Sequence, residues 1–246
     1  MTGRRWKRAG RALAAGVIGG SACLAWGAPK FEDTMAQRVL ACTGCHGQQG
    51  RAASDGYYPR IAGKPAGYLY SQLRSFRAGR RQYALMTQLL VPLSDAYLLD
   101  IAEHFSRLRL SYPAPQAATA DPAVLQRGER LVREGDVRRQ VPACVACHDS
   151  SLMGVRPSIP ALIGLPRDYL NAQLGAWRTG NRRAHEPDCM AKIAQRLDPA
   201  DVSALSQWLA AQPVPADAEP AMTAGTAPPL PCGSAVPAAV ARPASP

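Results

Sequence analysis

The chain has 246 residues and carries 29 Lys and Arg against 18 Asp and Glu, a formal net charge of +11. Its length suits one or two domains, and past residue 28 no segment is long and apolar enough to cross a bilayer, which excludes a polytopic helical membrane protein. No alternating run of β-branched residues indicates a sheet, so the fold class expected is all-α.

At the N-terminus Arg4, Arg5, Lys7, Arg8 and Arg11 stand without an acid, and Ala12 to Ala28 is apolar and rich in small residues. That order reads as a secretory signal. Ala25 and Gly27 suit the small positions before a cleavage site, so residues 1–27 are expected to be removed and the mature chain to work in the periplasm. An uncleaved anchor is the alternative, since about 17 apolar residues lie at the short limit for a span. Loss of the signal removes five positive charges and leaves +6, and an exported chain of this kind is a poor nucleic-acid binder.

A helical pattern over about Glu32 to Cys42, with Asp33 positioned to cap it, leads into Cys42-Thr43-Gly44-Cys45-His46. C-x-x-C-H is the attachment signature of a c-type haem, because two thiols a helical turn apart form thioethers with the haem vinyl groups while the adjacent imidazole reaches the iron. The pentapeptide recurs as Cys144-Val145-Ala146-Cys147-His148, which implies two covalently attached haem c groups. A thioredoxin-like dithiol needs a βαβ unit that neither motif has. A zinc site from four Cys and two His would have to join motifs 102 residues apart.

Between the motifs, Tyr58-Pro59-Arg60-Ile61-Ala62-Gly63 reads as a loop over the haem edge, followed by helical patterns at Ala66 to Arg77 and Ser94 to Leu108. Ser111 to Asp121, with Pro113 and Pro115, reads as a linker short enough to hold two domains side by side. Helical patterns resume at Pro122 to Glu134, Arg167 to Arg178 and Pro199 to Ala211, where Ser94 and Asp198 suit N-caps and Pro122 and Pro199 suit first-turn positions. From Pro213 the chain is rich in Pro and Ala and is expected to be disordered, except where Cys232 pins it. The expected organisation is therefore signal 1–27, N-terminal domain 28–110, linker 111–121, C-terminal domain 122–212 and tail 213–246. A domain of about 80 residues with few helices builds only a small core, so each haem would supply much of its apolar centre.

Internal repetition supports the division. With Cys144 aligned on Cys42 at an offset of 102, Pro59, Gly63, Pro65, Tyr68, Gln72, Leu73, Arg77 and Gly79 match Pro160, Gly164, Pro166, Tyr169, Gln173, Leu174, Arg178 and Gly180 at 101. Farther on, Leu93, Ile101 and Phe105 match Leu197, Leu205 and Leu209 at 104, and of Met35, Met86, Met153, Met190 and Met222 only Met86 and Met190 are related by the repeat, at that same offset, which makes them the natural sixth ligands opposite His46 and His148. Each is expected in a loop before the C-terminal helix of its half. Core filling is the ordinary role of any isolated Met. His104 has no counterpart in the other half and reads as a surface or packing residue, while His185 sits among Arg182, Arg183, Glu186 and Asp188 and reads as solvated loop. Seven cysteines less Cys23 in the signal and four at the motifs leave Cys189 and Cys232, an even pair in an oxidising compartment and hence a predicted disulfide.

The two C-x-x-C-H motifs, Pro59-Arg60-Ile61-Ala62-Gly63-Lys64-Pro65, Tyr68-Leu69 with Gln72-Leu73, Phe76-Arg77-Ala78-Gly79-Arg80 and Leu93-Ser94-Asp95 together resemble the dihaem cytochrome c4 family over roughly Glu32 to Gln212. The resemblance implies two tandem class I cytochrome c domains facing each other, each around one covalent haem. It also implies haems close to the domain interface, His/Met ligation by His46 with Met86 and His148 with Met190, and periplasmic electron transfer. Asp149, where a glycine usually follows the motif histidine, and Ser150 to Pro157 depart from that pattern. The Cys189 and Cys232 pair and the long tail are more similar to cytochrome subunits that accompany periplasmic dehydrogenases.

The expected function is single-electron transfer between respiratory redox partners, a dehydrogenase donor and an oxidase or other acceptor, with peripheral membrane association as an option. A dedicated cytochrome subunit of a periplasmic or membrane dehydrogenase is the alternative. A dihaem peroxidase would need an open or releasable distal side, against which the Met pair argues. Residues 28–113 hold 11 basic and 6 acidic residues, whereas 114–246 hold 13 and 12, so the first domain is expected to meet an acidic partner surface. Arg77, Arg80, Arg81, Arg178, Arg182 and Arg183 could equally pair with haem propionates.

Overall fold

Ser94 and Asp198 stand on extended backbone and turn their side chains onto the helices that follow, Ser94 Oγ accepting from Tyr97 N at 3.2 Å and Asp198 Oδ1 from Asp201 N at 2.8 Å. Such capping satisfies backbone N–H groups that have no partner within the helix. In this computed structural model, which describes residues 32–52, 56–216, 218–223, 225 and 227–235, the helices are α1 (Met35–Arg38), α2 (Leu40–His46), α3 (Ala66–Arg77), α4 (Ala84–Leu90), α5 (Asp95–Arg107), α6 (Pro122–Arg133), α7 (Val145–His148), α8 (Arg167–Arg178), α9 (Cys189–Arg196) and α10 (Pro199–Ala210). Among the described residues there are isolated bridges but no strands, so the fold is all-α. The expected signal at 1–27, with Cys23, lies outside the described residues.

Three expectations need correction. The first helix is capped by Thr34, not Asp33, and breaks at Val39, whose φ of −94° and ψ of 8° separate α1 from α2. Met86 and Met190 lie in short helices, α4 and α9, and not in loops. The described part of the tail is seated on the protein: Ala221 N donates to Gly154 O at 2.9 Å, Arg156 N donates to Ala221 O at 2.8 Å, and Glu219 takes Arg109 and Arg156. Cys189 and Cys232 are joined as a disulfide, as expected.

Two hydrophobic clusters organise the chain from Asp33 onward, which forms one body. The first gathers Val39, Leu69, Phe76, Leu98, Ile101 and Phe105, with α3 packed on α5. The second gathers Leu131, Val132, Met153, Leu170, Leu205 and Trp208, with α10 packed on α6 and α8. Gly128 brings α6 against α10 so closely that a Cβ there would stand 2.3 Å from Ala204 O.

The two halves meet along a seam with approximate two-fold character. Arg81 and Arg182 face each other in an antiparallel bridge, flanked by Gln82 N donating to Asn181 O at 2.9 Å and Arg183 N to Arg80 O at 2.7 Å. Arg81 donates to Gln72 Oε1 (3.1 Å), Gln173 Oε1 (2.6 Å) and the Tyr169 hydroxyl (3.3 Å). Arg182 mirrors it, donating to Gln173 Oε1 (2.8 Å), Gln72 Oε1 (3.0 Å) and the Tyr68 hydroxyl (3.2 Å). The segment between the halves is also tied down: Arg60 donates to the carbonyls of Leu110 and Ser111 and stacks over Tyr112, and Gln116 N donates to Ala210 O.

Candidate functional site

The break at Val39 sets the direction of α2, which carries the first motif to its end at His46. His46 is buried, and its Nδ1–H donates to the Pro59 carbonyl at 2.8 Å. A ring held that way keeps its proton on Nδ1 and leaves Nε2 bare, the arrangement a metal-ligating histidine needs. The second motif repeats it: α7 ends on buried His148, whose Nδ1–H donates to the Pro160 carbonyl at 2.8 Å. Burial holds both imidazoles below the ordinary histidine range, with the proline carbonyls opposing the shift. Both rings are therefore neutral near pH 7.

Three of the four motif cysteines are held away from the reactive thiolate form. Burial pushes the Cys144 thiol up to about 12, and it also raises Cys42 and Cys147. A dithiol oxidoreductase needs the opposite, a thiolate stabilised by its surroundings.

Cys42, Cys45, His46 and Met86 line one cavity of about 470 Å³. The rest of its wall is largely apolar, from Leu69, Leu73 and Phe76 on α3, Met86 and Leu90 on α4, and Ile101 and Phe105 on α5. Tyr58 stands edge-on to His46 with ring centres 6.2 Å apart, and its hydroxyl lies 3.2 Å from that of Tyr83. At the rim Tyr57, Leu85 and Leu89 are exposed. The opposite end reaches the seam, where Lys64, Arg81 and Arg182 enter the wall with Tyr68, Gln72, Tyr169 and Gln173. Among the described residues no carboxylate pairs with these three cations, two of which, Lys64 and Arg182, are buried. The cavity thus combines two thiols, an imidazole and a thioether with apolar walls and an electropositive end. It can hold a flat apolar group that carries iron and acidic substituents.

In the second half Cys144 packs against the cluster around Leu131, and Met190 occupies the first turn of α9, half-buried and outside the first cavity. Met153 is 1 % exposed inside the second cluster, a core-filling role. His104 stacks edge-on with Phe105, and His185 is half-buried with its Nε2 3.2 Å from Arg80 Nη2, so it is less solvated than its charged neighbours suggest. Of the arginines singled out in the sequence, Arg77 is taken by the Asp95 carboxylate and the Leu93 carbonyl. Sequence reasoning did not foresee the two proline carbonyls or the seam pairing, although Tyr68, Gln72, Tyr169 and Gln173 were visible as repeat partners.

No family model matches the sequence. The chain is 38% identical over 205 residues to the thiosulfate dehydrogenase electron acceptor of Thiomonas intermedia, covering 83% of this chain and 92% of that one. It is 33% identical over 174 residues to cytochrome c4 of Pseudomonas aeruginosa, covering 70% of this chain and 84% of that one. Among solved structures, reduced recombinant cytochrome c4 from Pseudomonas stutzeri matches with a TM-score of 0.61 at 33% identity, covering 71% of this chain and 94% of that one. A thiosulfate dehydrogenase from Marichromatium purpuratum matches with a TM-score of 0.63 at 32% identity over 70% of this chain, which spans 36% of that longer protein. Identity of this order over most of a relative's length, joined to the same all-α fold, is decisive: the chain belongs to the cytochrome c4 family of c-type cytochromes and is an electron carrier, not itself an enzyme.

Proposed function

We propose that the chain is a periplasmic dihaem cytochrome with one covalent haem in each half, domains at 28–110 and 122–212, and a signal at 1–27. Cys42 and Cys45 would form the thioethers of the first haem, with His46 and Met86 as its axial ligands; Cys144, Cys147, His148 and Met190 would do the same in the second half. The observation that carries this reading is the convergence of Cys42, Cys45, His46 and Met86 on one apolar cavity, with the His46 hydrogen bond repeated at His148. Bound there, haem c supplies reversible one-electron exchange at its iron.

The protein's own residues set the conditions for that exchange. Pro59 and Pro160 hold the imidazole protons on Nδ1, which fixes ring orientation and raises the basicity of the nitrogen left free. The Met86 and Met190 thioethers are soft donors that favour the reduced metal. With His46 and Met86 holding one iron and His148 and Met190 the other, no coordination position would be left for a substrate. Lys64, Arg81 and Arg182 supply positive charge where the haem carboxylates would end. The exposed rim of Tyr57, Leu85 and Leu89 offers the apolar contact through which a partner can approach the first cavity.

For the partner, similarity to a thiosulfate dehydrogenase electron acceptor over 92% of that protein favours a dedicated dehydrogenase donor over a general respiratory shuttle. Absorption spectra of the mature protein test the ligation. Two haems per chain, thioether-to-iron charge-transfer absorption in the oxidised form and no carbon monoxide binding in the reduced form are expected. Carbon monoxide binding at one haem would overturn the closed-site reading. For the partner, rapid reduction by a thiosulfate-oxidising enzyme with its substrate is expected, and the absence of reduction would remove that donor.

A further inference from the structure

The repeat that relates Met86 to Met190 does not extend to how the two are held. Around Met86, α4 is fixed by packing on the first cluster and by Thr87 Oγ1 donating to Phe76 O at 3.1 Å. Met190 has a different arrangement. Its helix has eight residues, of which only Ala194 is fully buried. Helix α4 is no better buried, with seven residues of which only Leu90 is buried, so both short helices depend on tertiary contacts and the difference lies in what else holds each one. The residue beside Met190, Cys189, is crosslinked to Cys232 in the tail, 43 positions on.

The tail segment is also seated on the loop that enters α9. Gly233 N donates to Pro187 O at 3.0 Å, and the Ser234 hydroxyl accepts from His185 N at 3.3 Å. Gly233 lies so close that a Cβ on it would stand 2.2 Å from Glu186 O and 2.7 Å from His185 O. Beneath it, the buried Asp188 carboxylate accepts from Ala184 N at 2.6 Å and Ala191 N at 3.0 Å, fixing both ends of the turn. A covalent bond, two hydrogen bonds and a glycine contact thus converge on the few residues before Met190.

We infer that the Cys189–Cys232 crosslink and the segment it carries are the positioning device for the Met190 thioether, one with no crosslinked counterpart beside Met86 among the described residues. This rests on the reading of Met190 as an axial ligand. Cys189 and Cys232 act through Met190 and touch no reacting atom.

The test uses the full-length protein with its haems attached. In Cys189→Ser/Cys232→Ser the thioether-to-iron absorption of the oxidised form should fall to about half, carbon monoxide should bind one haem per chain in the reduced form, and one of the two potentials should drop while the other stays. Gly233→Ala keeps the crosslink but displaces the segment, and should bind carbon monoxide slowly at the same haem. If the double variant fails to accumulate, cleavage of the disulfide in the folded wild-type protein by a phosphine, alkylation and reoxidation give the same comparison. Full absorption and no carbon monoxide binding after the crosslink is cut would overturn the inference. Met190→Leu separates the two claims: if it halves the absorption while cutting the crosslink does not, only the positioning role fails, and if it leaves the absorption intact, the ligand assignment itself fails.

Discussion

Asp149 follows the second motif histidine with φ 68° and ψ 156°, a region essentially reserved for glycine, where a side chain costs about 1–3 kcal/mol. Its counterpart Gly47 has φ 73° and ψ 166° and no such cost. Partial compensation comes from the Asp149 carboxylate, which accepts from Ser151 N at 2.9 Å and Ser151 Oγ at 2.5 Å. Those bonds are exposed and worth about 1 kcal/mol together, so strain is the larger effect. Asp149→Gly should therefore raise the thermal midpoint by about 2–4 °C, read by calorimetry on the haem-loaded protein, and a fall would mean that the Ser151 bonds prevail. At this scale the sequence was legible wherever chemistry demands a fixed spacing. The two Cys-x-x-Cys-His runs stood out unaided, and the Asp149 departure stood out against the pattern of the family that the chain resembles. The partners of His46 and His148 did not, because a backbone carbonyl twelve or thirteen residues away leaves no side-chain signature.

Helices Ala66–Arg77 and Arg167–Arg178 were readable to the residue, since an X-Pro entry and a glycine exit bracket each apolar pattern. The helices bearing Met86 and Met190 were not. Ala84–Leu90 has no side-chain cap, and the Asp188 that caps Cys189–Arg196 sits in a charged run that reads as solvated loop, although the structure buries it. Helix α10 shows how much one end can hold. Arg127 and Arg139 both bridge Asp136 to Asp201, the N3 residue of its capping box. The hydrogen bond from Arg127, with help from Arg139, lowers Asp136 from 3.8 to about 2. Because the folded-state value lies below the ordinary one, the ionised carboxylate stabilises the fold fully above pH 3.8 and loses that effect as pH falls through about 2. Asp136→Asn should thus unfold at lower denaturant than the wild type at neutral pH, with the gap closing between those two values. A gap unchanged down to the lower pH would show that the carboxylate acts by shape alone.

On the scale of the molecule, the duplication does more than supply two similar halves, because the repeat pairs Tyr68/Tyr169 and Gln72/Gln173 become the seam where the halves meet. Sequence could identify the pairs but not that they face each other, since contact across a two-fold arrangement leaves no trace in spacing along the chain. Among the described residues the seam also leaves positive charge without a paired carboxylate, and Tyr68 reports on it. Burial raises the Tyr68 phenol, but Arg182, Arg81 and Lys64 together outweigh burial and bring it from 10.0 down to about 8. If the haem carboxylates end at these cations, as the proposed arrangement requires, they offset the charge that depresses the phenol. Tyr68 should then titrate well above 8 in the haem-loaded protein. Carbon-13 NMR of ring-labelled tyrosine in the reduced, diamagnetic protein, with Tyr68→Phe to assign the signal, measures it. A value still near 8 would mean that the cations remain uncompensated and that the acidic edges of the haems lie elsewhere. Arg182→Gln then distinguishes the cause, because removing one cation should move the phenol upward only where that cation is still acting on it.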